Sequence, residues 1–393
     1  MTKKKSLGSE LGRGTVRFAR AILAGALMLP AQTLIGQPAP NVVAWGIFCI
    51  NATFPPSAPP AEATNVVALS DSGAHALALR GDGTIVAWGS NEYGETSVPP
   101  GLTNVLAVVA GLGDSLALRS DGTVAAWGYG WGAGAHVVAG LTNVVAIADG
   151  EAFCMALRSD HSAAIWSIGA TNGALTLTNA NVVAIAASHD YGLMLRADGK
   201  VATVGSNSDG PGVTNIPPNL TNAAAIAAGN SFALALTADG TVFAWGDDLS
   251  GETNVPPDLT KAAAIAAGDA HGLALASDGA VVAWGDGSFG QTEVPAGLTN
   301  VVSVAAGGAS SMAVVAGTVP PTQVALTDAA FAGGRFTVRV PTNRGRVYAL
   351  EYKDSLSDAQ WTLLPLLAGS GGAVTLSDAA PGPNQRFYRV RRW

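Results

Sequence analysis

Five histidines, two cysteines and 28 acidic residues carry most of this chain's capacity for proton transfer, metal ligation and nucleophilic attack, so their spacing is the first question. His75 and His271 occupy the same place in two copies of one phrase, GAHALAL and DAHGLAL, where other copies have Asp114, Phe153, Tyr191, Phe232 and Ser310. A position that varies through ionisable, aromatic and hydroxyl types suits a composite binding surface, and Glu151, His189, Asp190 and Asp269 beside it would add charge. It better suits side chains that bond or pack against the adjoining unit, since the position recurs in every unit and imidazole and hydroxyl groups are readily satisfied there. Units far apart in an array cannot share an ion, so no metal is expected between the two histidines. There is no serine nucleophile elbow, no His/Cys ligand spacing and no phosphate-cradling loop, so neither an enzyme nor a cofactor is expected from motifs. Cys49 and Cys154 fall in different units and read as structural thiols, not as a bridge.

The elements that must position these residues are repeated. Trp45, Trp88, Trp127, Trp166, Val204, Trp245 and Trp284 align at intervals of 43, 39, 39, 38, 41 and 39, the period of a propeller blade or short solenoid unit. Each unit also carries a run like NVVAIADGEAFCMAL (143–157) or KAAAIAAGDAHGLAL (261–275), seven in all. The runs are short, apolar and bounded by Gly, Asp, Asn or Pro, which reads as strands. Asp-Gly pairs at 82–83, 121–122, 198–199, 239–240 and 278–279 suit tight hairpin turns, with calcium ligation by their aspartates the lesser reading. The spacing predicts four strands per unit, the last a short outer strand ending in VPP or VPA, where proline costs no ladder bond. The first unit starts with a lone strand at Asn41 and the last ends without its counterpart at Val315. Joining the two pieces predicts an all-β fold: a seven-bladed β-propeller over 37–316, closed by its N-terminal strand so that no sheet edge is left free.

Residues 1–36 differ in kind. Three lysines and three arginines precede the apolar run AILAGALML, the layout of a secretory signal peptide, which predicts export to the periplasm, cell envelope or medium. The run is too short for a stable membrane span, and a monomer is expected once it is removed. Residues 37–319 hold 6 Lys/Arg against 22 Asp/Glu, whereas 320–393 hold 9 against 5. So acidic a body would repel phosphate backbones, and no nucleic-acid partner is expected. The third unit breaks pattern with WGYGWGAGAH, in which Tyr129 and Trp131 suit contact with a protein or sugar, or else a repacked outer strand. After a linker, 317–322, residues 323–393 alternate as five or six strands, predicting a small β-sandwich of fibronectin or immunoglobulin type. Its terminal Arg386, Arg389, Arg391, Arg392 and Trp393 could address an anionic surface, or could simply be solvated.

The phrases AAGDAHGLAL (266–275) and DGAVVAWGDGSFGQTEVP (278–295), at a period near forty, resemble the regulator of chromosome condensation repeat family over about 41–316. The VVAWG and QTxVP phrases and the lone first strand are similar to its secreted bacterial branch, which includes a propeller-type inhibitor of β-lactamases. That resemblance implies a binding face on the turns between the first two strands of each blade, which in the inhibitor carry aromatic residues. Here those turns are the pairs from Gly73-Ala74 to Gly308-Ala309, and none of the fourteen residues is aromatic. The expectation is therefore a non-enzymatic exported scaffold binding a protein or glycan. The alternatives are a polysaccharide-acting enzyme with carboxylates at the channel mouth, or, by family analogy, nucleotide exchange or β-lactamase inhibition.

Overall fold

A computed structural model describes residues 41–47, 58–129, 137, 141–150, 153–167, 175–177, 180–189, 191–205, 212–316, 327–332, 335–344, 346–355, 361–379 and 386–392. The leader at 1–36, Cys49, the linker at 317–322, Trp131, Glu151, Asp190 and Trp393 lie outside the described residues. All the elements described are strands.

In chain order, β1 (Val42–Gly46) is followed by three strands in one sheet, β2 (Val66–Asp71), β3 (His75–Arg80) and β4 (Ile85–Gly89). The same antiparallel order recurs in β5 (Val105–Ala110), β6 (Asp114–Arg119) and β7 (Val124–Gly128). Next come β8 (Val144–Asp149), β9 (Phe153–Arg158) and β10 (Ala163–Ser167), with β11 (Leu175–Leu177) added at the edge. Three more sheets follow: β12 (Val182–Ala187), β13 (Tyr191–Arg196) and β14 (Val201–Gly205); β15 (Ala223–Ala228), β16 (Phe232–Thr237) and β17 (Val242–Gly246); β18 (Ala262–Ala267), β19 (His271–Ala276) and β20 (Val281–Gly285). The last two strands of the array, β21 (Val301–Gly307) and β22 (Ser310–Val315), take β1 as their third partner, with Val42 opposite Val314 and Trp45 opposite Ser311.

Each sheet packs on the next, and β2 packs on β21 and β22, so the array returns to its start. This explains the apolar middle strand. Flanked by neighbouring sheets on both faces, β3, β6 and β13 bury five successive residues, and Leu77, Leu118, Leu195 and Leu234 are wholly enclosed. At the join, the Asn41 amide bonds both backbone groups of Val66, each at 2.9 Å, and Gly73, at φ +81°, lies so close that a Cβ would fall 2.5 Å from the Gly308 nitrogen.

The outer strand predicted from VPP is absent among the described residues. Ser97, Val98 and Leu102 spend their amides on turns to Gly94, Thr96 and Pro99, and prolines donate nothing, so the segment cannot sustain a ladder. β11 is the one outer strand described, and it belongs to a unit without a VPP phrase. The Asp-Gly pairs do form turns: Asp82, Asp121, Asp239 and Asp278 accept the amide two residues on, and their glycines take positive φ. In the sheet of β8 to β11 His161 takes the glycine's place at φ +69°.

Towards the C-terminus, β23 (Thr327–Ala332), β24 (Arg335–Pro341) and a later strand form one sheet, and β25 (Val347–Lys353) centres another with β26 (Thr362–Leu363) and β27 (Leu367–Ala368). The later strand is β28 (Ala373–Asp378), and β29 (Phe387–Arg392) also pairs with β25. Val338, Leu350 and Leu376 share one core across the two sheets. Val347, Ala349 and Leu366 belong instead to the core around β12 and β13, so alternate residues of β25 serve two cores. Leu366 donates to Ser159 O at 3.1 Å, on the turn between β9 and β10, and Arg344 to Val105 O at the start of β5, which fixes this region to the end of the array that carries the turns between second and third strands.

Candidate functional site

The variable position stands at the head of each middle strand. Of the two readings of this position, packing against the adjoining unit is the one the structure shows: His75, Asp114, Tyr191, Phe232 and His271 are buried between sheets and do not ring an open surface. His75 Nε2 meets Ser115 Oγ at 2.9 Å, and that hydroxyl donates to Glu95 O at 2.8 Å, so the nitrogen carries the hydrogen. His271, Ser311 and Gln291 O repeat the arrangement at 2.9 and 2.8 Å. Burial lowers both histidines to about 4, and they sit neutral as struts between sheets. The Tyr191 hydroxyl lies 2.8 Å from Gly229 O and 2.6 Å from Phe232 O in the next sheet. The physical reason is common to all five: the array leaves no solvent between neighbouring sheets at this level. Phe153 begins β9.

Among the described residues, three carboxyl groups at this level form no ion pair with a cation. Asp114 and Asp149 come from adjacent sheets, and both would collide with a side chain at Gly111, Asp114 Oδ1 at 2.4 Å and Asp149 Oδ2 at 2.7 Å. Their carboxyl groups thus share one buried space, and the Cys154 thiol donates to Asp149 Oδ1 at 3.0 Å. Burial raises Asp114 to about 7, and burial together with the Asp114 charge holds Asp149 well above the usual carboxylate range. The same burial raises the thiol, so Cys154 is an inert core group as its sequence context suggests. Asp71 accepts from Gly73 N at 2.8 Å and Ser310 Oγ at 2.7 Å, and burial lifts it to about 6. Among the described residues no group of three or more His, Cys, Asp or Glu is placed to hold a metal ion.

Above this buried layer the same end of the sheets is exposed, and its composition is unusual. Ile47, Tyr93, Leu112, Tyr129, Leu249 and Phe289 are all exposed, Leu249 at 88% and Tyr93 at 54%. Each lies on a turn between first and second strands or on the segment leaving a third strand, and antiparallel pairing brings both to one end. The Tyr93 and Tyr129 rings are 4.5 Å apart and inclined at 41°, beside the Gly113 turn. Buried acids and amides force these loops outward. Glu95 accepts from Ser90 Oγ at 2.6 Å and Tyr93 N at 2.8 Å, and Gln291 Oε1 accepts from Phe289 N at 2.9 Å. The tryptophans pin the same segments from beneath: Trp127, Trp284 and Trp45 donate to Glu95 O, Glu252 O and Gln291 O at 2.8 to 2.9 Å.

Glu92, Asp248 and Asp269 are exposed at this end, and Asp247 and Asp286 are half-buried. All six Lys and Arg residues between 37 and 319 (Arg80, Arg119, Arg158, Arg196, Lys200 and Lys261) fall at the opposite end of the strands. Of the residues singled out from sequence, Tyr129 and Asp269 are therefore exposed at this end, and His189 is half-buried. Sequence reading missed Tyr93, Leu249 and Phe289, although each is a large apolar residue inside a polar phrase, NEYGET, DDLSGET or GSFGQT.

Three stretches, residues 66–95, 223–252 and 262–291, match the family model described as the regulator of chromosome condensation (RCC1) repeat, and each ends on the residue whose carbonyl accepts a tryptophan or serine hydrogen bond. Among solved structures, the chain is similar to Prp20p from Saccharomyces cerevisiae, described with its binding properties to Gsp1p and histones, at 18% identity over 71% of this chain and 93% of that one, TM-score 0.57. Human WBSCR16 is 16% identical over 71% and 99%, TM-score 0.54. The ectodomain of the receptor kinase CR4 from Physcomitrella patens is 20% identical over 68% and 76%, TM-score 0.52. No curated protein matches the chain. At these identities the likeness is one of fold: repeated sheets like those of RCC1-type propellers.

Proposed function

We propose that this chain, with repeats of RCC1 type, is an exported, non-enzymatic binding protein: a seven-bladed propeller closed by β1, presenting its acidic, apolar end to a basic protein partner. The C-terminal region is a β-sandwich that docks on the other end and leaves this face open. One observation carries the reading: exposed large apolar side chains gather at the end of the array that holds no Lys or Arg, whereas isolated exposed hydrophobics would be unremarkable. Tyrosines in such a setting supply contact area, and the carboxylates around them steer a cationic partner. The N-terminal layout of a signal peptide supports export, and the neighbour described as binding histones supports the use of such a fold for protein contact.

A second reading, a polysaccharide-acting enzyme, draws on the raised Asp114 and Asp149 pair. These groups touch each other and are 3% and 9% exposed, whereas paired carboxylates in glycoside hydrolysis stand about 5 Å or more apart around the bond they cleave. Binding therefore explains more. The test is a pull-down from envelope extract and medium with residues 37–393, comparing wild type with the Tyr93→Ala/Tyr129→Ala variant. A basic protein captured by wild type and lost in the variant is expected; equal capture by both sinks the assignment of this face.

A further inference from the structure

At the opposite end, independently of the reading above, a polar cleft of about 320 Å³ opens between the turn joining β13 to β14 and the C-terminal region. Its floor is Glu351, 2% exposed, whose Oε2 accepts from Arg389 Nε and whose Oε1 lies 3.5 Å from Arg391 Nη1. Arg391 also donates to Ala197 O at 3.4 Å, so this guanidinium is fixed from both sides of the cleft. Two guanidiniums on one buried carboxylate leave a surplus positive charge facing the opening. Arg196 adds another from the facing wall and has Asp198 at 3.8 Å, both nearly half-exposed and so weakly paired. Trp361 lines the same cleft, with the Arg389 guanidinium 4.3 Å from its ring centre. Asn181 and Asn222 supply amides at the rim.

These features select a ligand class. Three guanidiniums against two carboxylates favour an anion, and arginine's planar fork matches a carboxylate in two-point contact. An indole face with amide donors suits a flat, hydroxylated ring with a hydrophobic underside, and the volume lies at the small end for a ligand site, about one or two sugar rings. We propose that the cleft binds a uronate-bearing saccharide, its carboxylate on Arg196 and Arg389 and its ring on Trp361.

The proposal is tested by calorimetric titration of the full chain with digalacturonate, neutral galactobiose and inorganic phosphate as separate probes. Digalacturonate is expected to bind, with galactobiose at least about tenfold weaker, the loss that follows from one charge-assisted contact. Arg196→Ala removes a half-exposed side chain and leaves the buried Glu351 cluster intact, and it should weaken digalacturonate about tenfold without moving the melting temperature. Trp361→Ala should weaken digalacturonate and leave phosphate unchanged. Equal binding of galactobiose, unaltered affinity in Arg196→Ala, or phosphate binding as tightly as digalacturonate would each overturn the proposal.

Discussion

At one end of the sheets the turns between second and third strands are near copies of each other, with an aspartate oxygen taking the amide two residues on and a positive-φ residue after it. At the other end the turns between first and second strands share almost no side chain, and their heads run through His75, Asp114, Tyr191, Phe232 and Ser310. The difference is energetic. A Ser or Thr hydroxyl on each aspartate holds Asp82, Asp121, Asp160 and Asp239 below the usual carboxylate range, whereas burial lifts Asp71, Asp114 and Asp149 above it. One end is built from local, solvated hydrogen bonds that any copy can repeat. The other is built from contacts between neighbouring sheets, so each pair is solved separately and the exposed residues above are free to differ.

The harshest way to break this contrast is to remove what both ends share. Deleting Asn41 to Gly46 strips β22 of one of its two partners, exposes Trp45's neighbours and severs the Asn41 bonds to Val66. Loss of cooperative melting, or aggregation at temperatures where wild type is folded, is expected. A truncated chain that melts with wild type would mean the closure contributes nothing. A narrower cut is Gly73→Ala, which puts a methyl 2.5 Å from the Gly308 nitrogen at φ +81° and should cost about 2 kcal/mol or more in denaturant unfolding. The same change at Gly94, where nothing lies within 4 Å, keeps only the penalty of positive φ and should cost less. Similar costs at both would argue that the seam is loose.

Smaller in energy is the Tyr93→Ala/Tyr129→Ala pair. Both rings are exposed, so thermal stability should hardly move while affinity for the basic partner falls about tenfold or more. The residual affinity should weaken further as salt rises past about 0.15 M, where the screening length is roughly 8 Å. Reversing charge at Lys200, on the opposite end, should leave that affinity unchanged. A loss there equal to the tyrosine loss would put the partner on the wrong face.

The strands, the Asp-Gly turns and the pairing of β1 with β22 were legible because each is enforced by a local signal: apolar runs, a residue that tolerates positive φ, and complementary incomplete ends. Packing at the variable position was the stronger of two readings, but which side chains it would bury was not legible. Histidine, aspartate and tyrosine look alike in sequence whether they face solvent or a neighbouring sheet, and only the packing of sheet on sheet put them inside. The outer strand was over-read because a Val before two prolines looks like an edge strand, whereas the amides around it close tight turns. Tyr93 and Phe289 were not legible because the resemblance points to the turns between first and second strands, while the exposed aromatics stand one segment further along the same end.

The finest test uses pH to separate the two classes of carboxyl group. Asp71 and Asp114 titrate near 6 and 7 in the fold against about 3.8 in the free side chain, so their stabilisation is complete below about 3.8 and is lost as pH climbs to about 7. His75 and His271 act in the other direction. Their folded value near 4 against the usual 6.5 makes stability complete above 6.5 and lost as pH falls toward 4. The two slopes oppose between about 4 and 6.5, and wild type alone will look nearly flat there. Asp149→Asn separates them: an amide occupies the same space beside Asp114 and Cys154, cannot ionise, and can donate to the Asp114 carboxylate. The melting temperature of the variant minus that of wild type should therefore rise as pH climbs from 4 to 7, by a few degrees at most. The histidines are common to both proteins and cancel in that difference. A difference constant with pH would mean that Asp114 and Asp149 ionise freely in the fold, and that solvent reaches a layer which, at 3% and 9% exposure, should be closed to it.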